Sequence, residues 1–466
     1  MHLIQRTRRF AATLAGLTTG RIFQRGATVK ASRRRSCPVR LAAATLAIPA
    51  LTVASGSVMA ATAARAAAHQ AHQNRSYVGQ AVTAAISAAG TASRTVLAWG
   101  RNTTGQLGDG TTTSASTPVK VHLPAGTKVT QVRAGCAHTL ALTAMGQVLA
   151  WGSDSDGQLG DGRITDSATP VRVKLPRGTK ITAIRAGCEH SLALTSKGQV
   201  LAWGYNHGGE LGNGRTTNTD VPVRVRLPRH AKVTAVSAGQ YFSLARTAKG
   251  QVLAWGDNDS GELGNGSTAS SDVPVRVALP AGVRATAVSA EEETSLARTS
   301  GGGGLFGWGD NSLGQLGDGT TTSSDTPVSI PLLVRGPSLG HLVSLFGGCG
   351  HTVALFSSGK VLAWGSNVFG QLGDGTTTGS DTPVVVMLPA STKVTAISAG
   401  CATSYALTRS GHMLAWGLGA IGELGDGSIS SSDTPVWVGL PSGWRASAVG
   451  SGPMAAHALA IVHKKA

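Results

Sequence analysis

Acidic residues are missing from the first sixty positions, where ten lysines and arginines stand without a counter-charge. The formal charge of +18 therefore misdescribes the remainder, which holds 31 basic against 23 acidic side chains. An excess that small predicts no specific nucleic-acid binding. Aromatic residues make up only 4% of the 466 positions, whereas glycine occurs 63 times. That balance disfavours a helical protein and suits short strands joined by tight turns. Nothing resembling a Ser/His/Asp arrangement, a phosphate-binding loop or an isolated carboxylate pair is present, so the chain is expected not to be an enzyme and to need no cofactor.

The basic start reads as an export signal over residues 1–60. "RRRSCPVR" (Arg33–Arg40) is a cationic region, and the uncharged Leu41–Ala60 follows, ending in the small-x-small pattern Val58-Met59-Ala60. A membrane anchor is the alternative. The segment is rich in Ala, Thr, Ser and Gly and is broken by Pro49, which is poor material for a permanent span. Residues 61–93 are Ala/Gln/Ser-rich and aperiodic and read as a flexible stalk. The mature chain is then extracellular, without a membrane span, and monomeric.

From Val96 onward one phrase recurs. "VLAWG" stands at Val96, Val148, Val200, Val252 and Val361, with "LFGWG" at Leu305 and "MLAWG" at Met413. The tryptophans of this phrase, Trp99, Trp151, Trp203, Trp255, Trp308, Trp364 and Trp416, are spaced by 52, 52, 52, 53, 56 and 52 residues. A period of that length marks a repeat architecture. Each unit holds four short apolar runs, for example "PVKVHLP", "KVTQVRAG", "HTLALTA" and "QVLAWG". Residues 94–466 are therefore expected to form an all-β, seven-bladed propeller of four-stranded blades running from "PV" to "WG". The N-terminal strand Val96–Gly100 completes the last blade and closes the ring.

The pattern W-G-x-[ND]-x-x-G-[QE]-L-G-[DN]-G, then "TP-V" and "AG-x-x-H-[ST]-L-A-L", resembles the regulator of chromosome condensation repeat family. Departures are local: Gly419 fills the Asn/Asp position, and Phe242, Thr294 and Thr403 replace the histidine. The resemblance implies the propeller and leaves the function open, because such folds serve many partners. The family's founder is an exchange factor for the small GTPase Ran, which implies a regulator of a small GTPase as one alternative. Similar bacterial propellers are secreted to inhibit β-lactamases, which implies a secreted inhibitor as another. The reading preferred here is a secreted protein-binding scaffold.

Alternating strand direction puts the "WG…TP" loops and "AG-x-x-H" turns on one face, with the "LP-AGTK" and "TSKG" turns on the other. All 23 acids fall on the first face. The second carries a basic ring of Lys128, Lys180, Lys232, Arg284, Lys393 and Arg445, which either binds a polyanion or is merely solvated. On the first face the units disagree most at Tyr241 and Phe242, at Glu291, Glu292 and Glu293, and at Val368, Phe369, Leu418 and Ile421. These are the partner-binding candidates. Cys136, Cys188, Cys349 and Cys401 share one repeat position as two neighbouring-blade pairs, either bridged or buried as thiols. Their spacing from His138 and His190 fits no usual zinc site, and "DNDSGE" (Asp257–Glu262) lacks a full calcium-ligand set, so no metal is expected.

Overall fold

The computed structural model describes residues 94–466 apart from 301–303, 332–338, 453 and 466. The expected export signal and stalk lie outside the described residues. Those described form seven four-stranded antiparallel sheets and no helix. The first strands of successive blades touch one another all the way round, the seventh meeting the first, so the sheets make a closed ring.

Blade 1 consists of Val129–Ala134, His138–Thr143, Val148–Gly152 and Ser167–Arg172, from the axis outward. The two middle strands are buried at every position, because they have a strand on either side and a neighbouring blade on each face. The outermost strand, "SATPVR", is half-exposed and carries proline, which suits an edge that need not pair further. Blades 2 to 6 repeat this order up to Ser432–Trp437.

Closure occurs as expected, with one difference in phase. Val96 pairs with Ile461 and Ala98 with Leu459, joining Arg94–Gly100 to the C-terminal strand His457–Lys464. The "PV" run, however, does not open a blade. It is the outer strand of the blade whose "WG" precedes it, Ala150 pairing with Val171 and Ala98 with Val119. Blade 7 is therefore built two and two: Trp444–Gly450 and His457–Lys464 from the C-terminus, Arg94–Gly100 and Ala115–Lys120 from the N-terminus.

The reason for the shift lies in the long "WG…TP" loop. Its length suggests a crossing between blades, but it folds back on itself around a buried Asn. The Asn102 side-chain oxygen accepts from Leu107 N–H (2.8 Å), and its amide donates to the carbonyls of Thr111 (3.1 Å) and Thr113 (3.0 Å). A loop tied at both ends returns the chain to its own sheet.

The loop also joins blades. Its Gln or Glu carbonyl accepts the indole N–H of the next blade: Gln106 from Trp151 (2.9 Å), Gln158 from Trp203 (2.9 Å), and Glu423 from Trp99 (3.0 Å) at the closing seam. The seven tryptophans of the repeated phrase are fully buried. The indole lies against the glycine after "L". A Cβ at Gly425, whose φ is +65°, would sit 2.7 Å from the Trp99 ring, so both the conformation and the approach demand glycine.

Candidate protein-binding faces

At six of the seven seams the carbonyl that takes the indole N–H also meets a Ser or Thr hydroxyl from the next blade. Ser191 donates to Gln158 (2.9 Å), and Thr139 donates to Gln106 (2.9 Å). A hydroxyl has one proton, so the histidine nitrogen facing it must be the donor. His138 Nε2 is 3.0 Å from Ser191, His190 3.0 Å from Ser243, His351 2.9 Å from Ser404, and His457 2.8 Å from Thr139. Burial holds these imidazoles neutral, lowering them to about 4 at His138 and about 3 at His190, His351 and His457. The repeated histidines are joints between blades, without access to a substrate.

Three seams lack that histidine, and each is filled differently. At the seam of blades 3 and 4, Phe242 is buried in the core with Leu244 and Trp308. At blades 6 and 7, Tyr405 donates its hydroxyl to Glu423 C=O (2.8 Å). At blades 4 and 5, the Glu291 carboxyl reaches 3.3 Å from Thr352 Oγ1, whose proton goes to Gln315 C=O (3.0 Å). Burial pushes the Glu291 carboxyl well above the usual carboxylate range, and Glu291 Oε1 is buried without a hydrogen-bond partner. The carboxyl, its pKa raised by burial, thus takes the place beside the next blade's hydroxyl that histidine takes elsewhere.

These placements correct the list of partner-binding candidates. Phe242, Glu291 and Glu292 are interior, with Glu292 only 2% exposed. Tyr241 and Glu293 are half-buried on the loop face, Glu293 accepting from Ser260 Oγ (3.0 Å). Val368 is 44% exposed, while Phe369, Leu418 and Ile421 are half-buried on the loops of blades 5 and 6. The apolar tips and the Tyr241 region therefore belong to different blades and do not make one patch.

Around Tyr241 the structure assembles residues that the sequence reading passed over. Tyr205 lies 5.3 Å from Tyr241 and 4.8 Å from His207, ring centre to ring centre. Asp257 backs this group, its N–H bonded to Tyr241 C=O (2.8 Å), and Asp259 is exposed on the same loop. Glu262, buried beneath, is raised well above the carboxylate range by desolvation and by the charge of Glu293. The signal was present in "WGYNHGG", where Tyr205 and His207 replace residues that are small, charged or aliphatic in other units. The result is an aromatic cluster bordered by Asp257, Asp259 and Glu293 across blades 2 to 4, an arrangement suited to aliphatic and cationic side chains of a partner.

The opposite face carries the basic ring. Lys128, Lys180, Lys232, Arg284 and Lys393 are exposed and Arg445 is half-buried, each directly before or at the start of an inner strand. Their stems have a packing role. Lys180 Cγ covers Gly146 of the preceding blade's hairpin, and Lys232, Arg284, Lys393 and Arg445 cover Gly198, Gly250, Gly359 and Gly411 likewise. Between blades 2 and 3, Lys197, Arg224, Arg226, His230 and Lys232 line a groove of about 410 Å³. Among the described residues, no group of three or more His, Cys, Asp and Glu could hold a metal ion. Cys136 and Cys188 are bridged, with Cα atoms 4.6 Å apart, whereas Cys349 and Cys401 are not.

Residues 57–335 match the model of the RCC1-like domain, and residues 343–371 and 358–407 match models of the regulator of chromosome condensation (RCC1) repeat. The ultraviolet-B receptor UVR8 of Arabidopsis thaliana is 33% identical over 341 residues, covering 73% of this chain and 76% of that one. The human E3 ubiquitin-protein ligase HERC2 is 33% identical over 319 residues, 67% of this chain but only 6% of the ligase. Among solved structures, human WBSCR16 superposes with a TM-score of 0.70 at 24% identity, covering 80% of this chain and 99% of that one. Prp20p of Saccharomyces cerevisiae, described with its binding to Gsp1p and histones, gives 0.70 at 22% identity, covering 81% and 93%. With the seven-bladed ring in place and the domain model matched over more than half its length, the chain belongs to the RCC1-like domain family.

Proposed function

We propose that this propeller is an exported protein-binding scaffold, not an enzyme, and that its loop face takes a basic protein partner at blades 2 to 4. The observation that carries the reading is the Tyr205–Tyr241–His207 cluster bordered by Asp257, Asp259 and Glu293, on loops that depart from the repeat. Rigid aromatic side chains supply contact area at low entropic cost, and neighbouring carboxylates select a cationic surface. A structural relative described with its binding to Gsp1p and histones supports a role in binding. Export rests on the basic start and the Val58-Met59-Ala60 cleavage pattern.

The test uses core histones as the basic probe. The double variant Tyr205→Ala/Tyr241→Ala is expected to bind about tenfold or more weakly, the loss of one or two aromatic anchors, while its melting curve stays close to wild type. Unchanged affinity would remove this cluster as the site. Acceleration of nucleotide release from a small GTPase, or inhibition of a β-lactamase, would replace the scaffold reading with one of its alternatives.

A further inference from the structure

The turns after the inner strands form a chain of backbone hydrogen bonds between blades. Cys136 N–H donates to Cys188 C=O (3.1 Å), Cys188 to Gln240 (3.3 Å), Cys349 to Cys401 (2.5 Å), and Cys401 to Ala455 (2.9 Å). At the first of these contacts a disulfide is present, with a Cα separation inside the range a disulfide accepts. Cys349 and Cys401 occupy the same repeat position in blades 5 and 6 and share the same backbone bond, which is the shorter of the two. Cys349 is flanked by Gly348 and by Gly350 at φ +63°, so its turn has little side-chain bulk to hold the thiol away. The backbone contact that carries one bridge is repeated four blades further on without one.

We infer that Cys349 and Cys401 are a second, reversible cross-linking site, closed by exchange with a small disulfide of the oxidised-glutathione class. Cys401 is half-buried and Cys349 buried, which sets the order of events. The Cys401 thiolate attacks the small disulfide, forms a mixed disulfide and releases one small thiolate. The Cys349 thiolate then attacks the Cys401 sulfur, the protein S–S bond forms, and the second small thiolate leaves. The two cysteines lose two protons and two electrons, both electrons residing on the two small thiols released. Closed, the bridge joins blades 5 and 6 as Cys136–Cys188 joins blades 1 and 2.

The experiment incubates the full chain with oxidised glutathione, quenches in acid, alkylates under denaturing conditions and maps the peptides by mass. The expected product is a linked peptide pair containing Cys349 and Cys401, about 2 Da below the sum of the two thiol peptides. Its unfolding midpoint rises relative to the reduced protein, and the rise disappears in Cys401→Ser, where Cys349 is recovered alkylated. Alkylation of both residues after oxidation, or arrest at a glutathione adduct on Cys401, would overturn the inference. The Cys136–Cys188 peptide in the same digest is the control for recovery of a linked pair.

Discussion

The Glu291 carboxyl and the Thr352 hydroxyl, 3.3 Å apart across the seam of blades 4 and 5, occupy the place of a histidine–serine joint. Three positions have changed together to make this pair. Glu291 stands where other units have glycine, Thr294 where four of them have histidine, and Gly347 where they have alanine or serine. Glu291 needs the other two changes. A Cβ at Gly135 would strike the ring of His138, so a side chain fits there only when the histidine is gone. A Cβ at Gly347 would fall on the Glu291 carboxyl.

A pH dependence follows from that pair. Burial raises the folded-state pKa of Glu291 above its unfolded value, so the folded chain keeps a proton that the unfolded chain releases. Its contribution is present below the unfolded carboxyl range and is lost as pH rises from there through the folded pKa. Glu291→Gln, which donates without titrating, should flatten that decline in urea titrations taken from pH 4 to pH 8. An equally steep decline in the variant would show that Glu291 does not carry it.

Gly347→Ala should destabilise by about 1–3 kcal/mol, the range for overpacking a close-packed interior. Adding Glu291→Gly should recover part of that loss, because it vacates the space the new methyl needs. Chemical denaturation of the two single variants and the double variant gives the coupling directly. Simple additivity would mean that the two residues do not compete for the same volume.

Asp154 fills a loop position held by Asn in five other units and by Gly419 in one. Desolvation by burial raises its carboxyl to about 7, against the bonds from Leu159 and Thr165 N–H that lower it. Stability tied to this group is lost as pH rises from the ordinary Asp range to about 7. Asp154→Asn should therefore match wild type near pH 4 and melt at a higher temperature at pH 8. A lower midpoint at pH 8 would contradict the assignment.

Trp99 packs in the closing seam and donates to Glu423 C=O. Trp99→Phe should cost about 1–3 kcal/mol, since it leaves a buried carbonyl with one donor fewer and removes part of the ring's packing. The loss should appear as faster proteolysis at the N-terminal strands of blade 7. The same substitution at Trp203 should cost a similar amount without exposing blade 7.

The ring was legible in the sequence because the Trp spacing and the G-[QE]-L-G phrase encode one seam seven times, and a seam repeated that often can only stack. Blade phase was not legible, because the sequence shows a long loop at Gly152–Ser167 and hides the Asp154 bonds that turn it back. The Glu291–Glu293 run reads as a solvated surface because charge runs usually are. Position contradicts type here: Glu291 sits at a glycine slot whose side chain must enter the seam. Phe242 likewise occupies the histidine slot, which is interior in every unit. Tyr205 and His207 escaped notice because their cluster with Tyr241 forms between loops 36 residues apart in the chain, a separation no local pattern reports.

Export has its own check. Protein recovered from culture medium should have an intact mass that places its first residue near Ala61, while a full-length mass confined to the cell would reject the export reading.

The most direct measurement of the central claim compares the two faces. Core histones are titrated against wild type, against Asp257→Lys/Asp259→Lys/Glu293→Lys on the loop face, and against Lys197→Glu/Lys232→Glu on the basic face. The account predicts that the loop-face variant loses binding and that wild-type affinity falls between about 50 and 200 mM salt, as exposed charge pairing requires. It also predicts that the basic-face variant binds at least as well as wild type. Binding that survives the loop-face reversal and disappears with the basic-face reversal would contradict it.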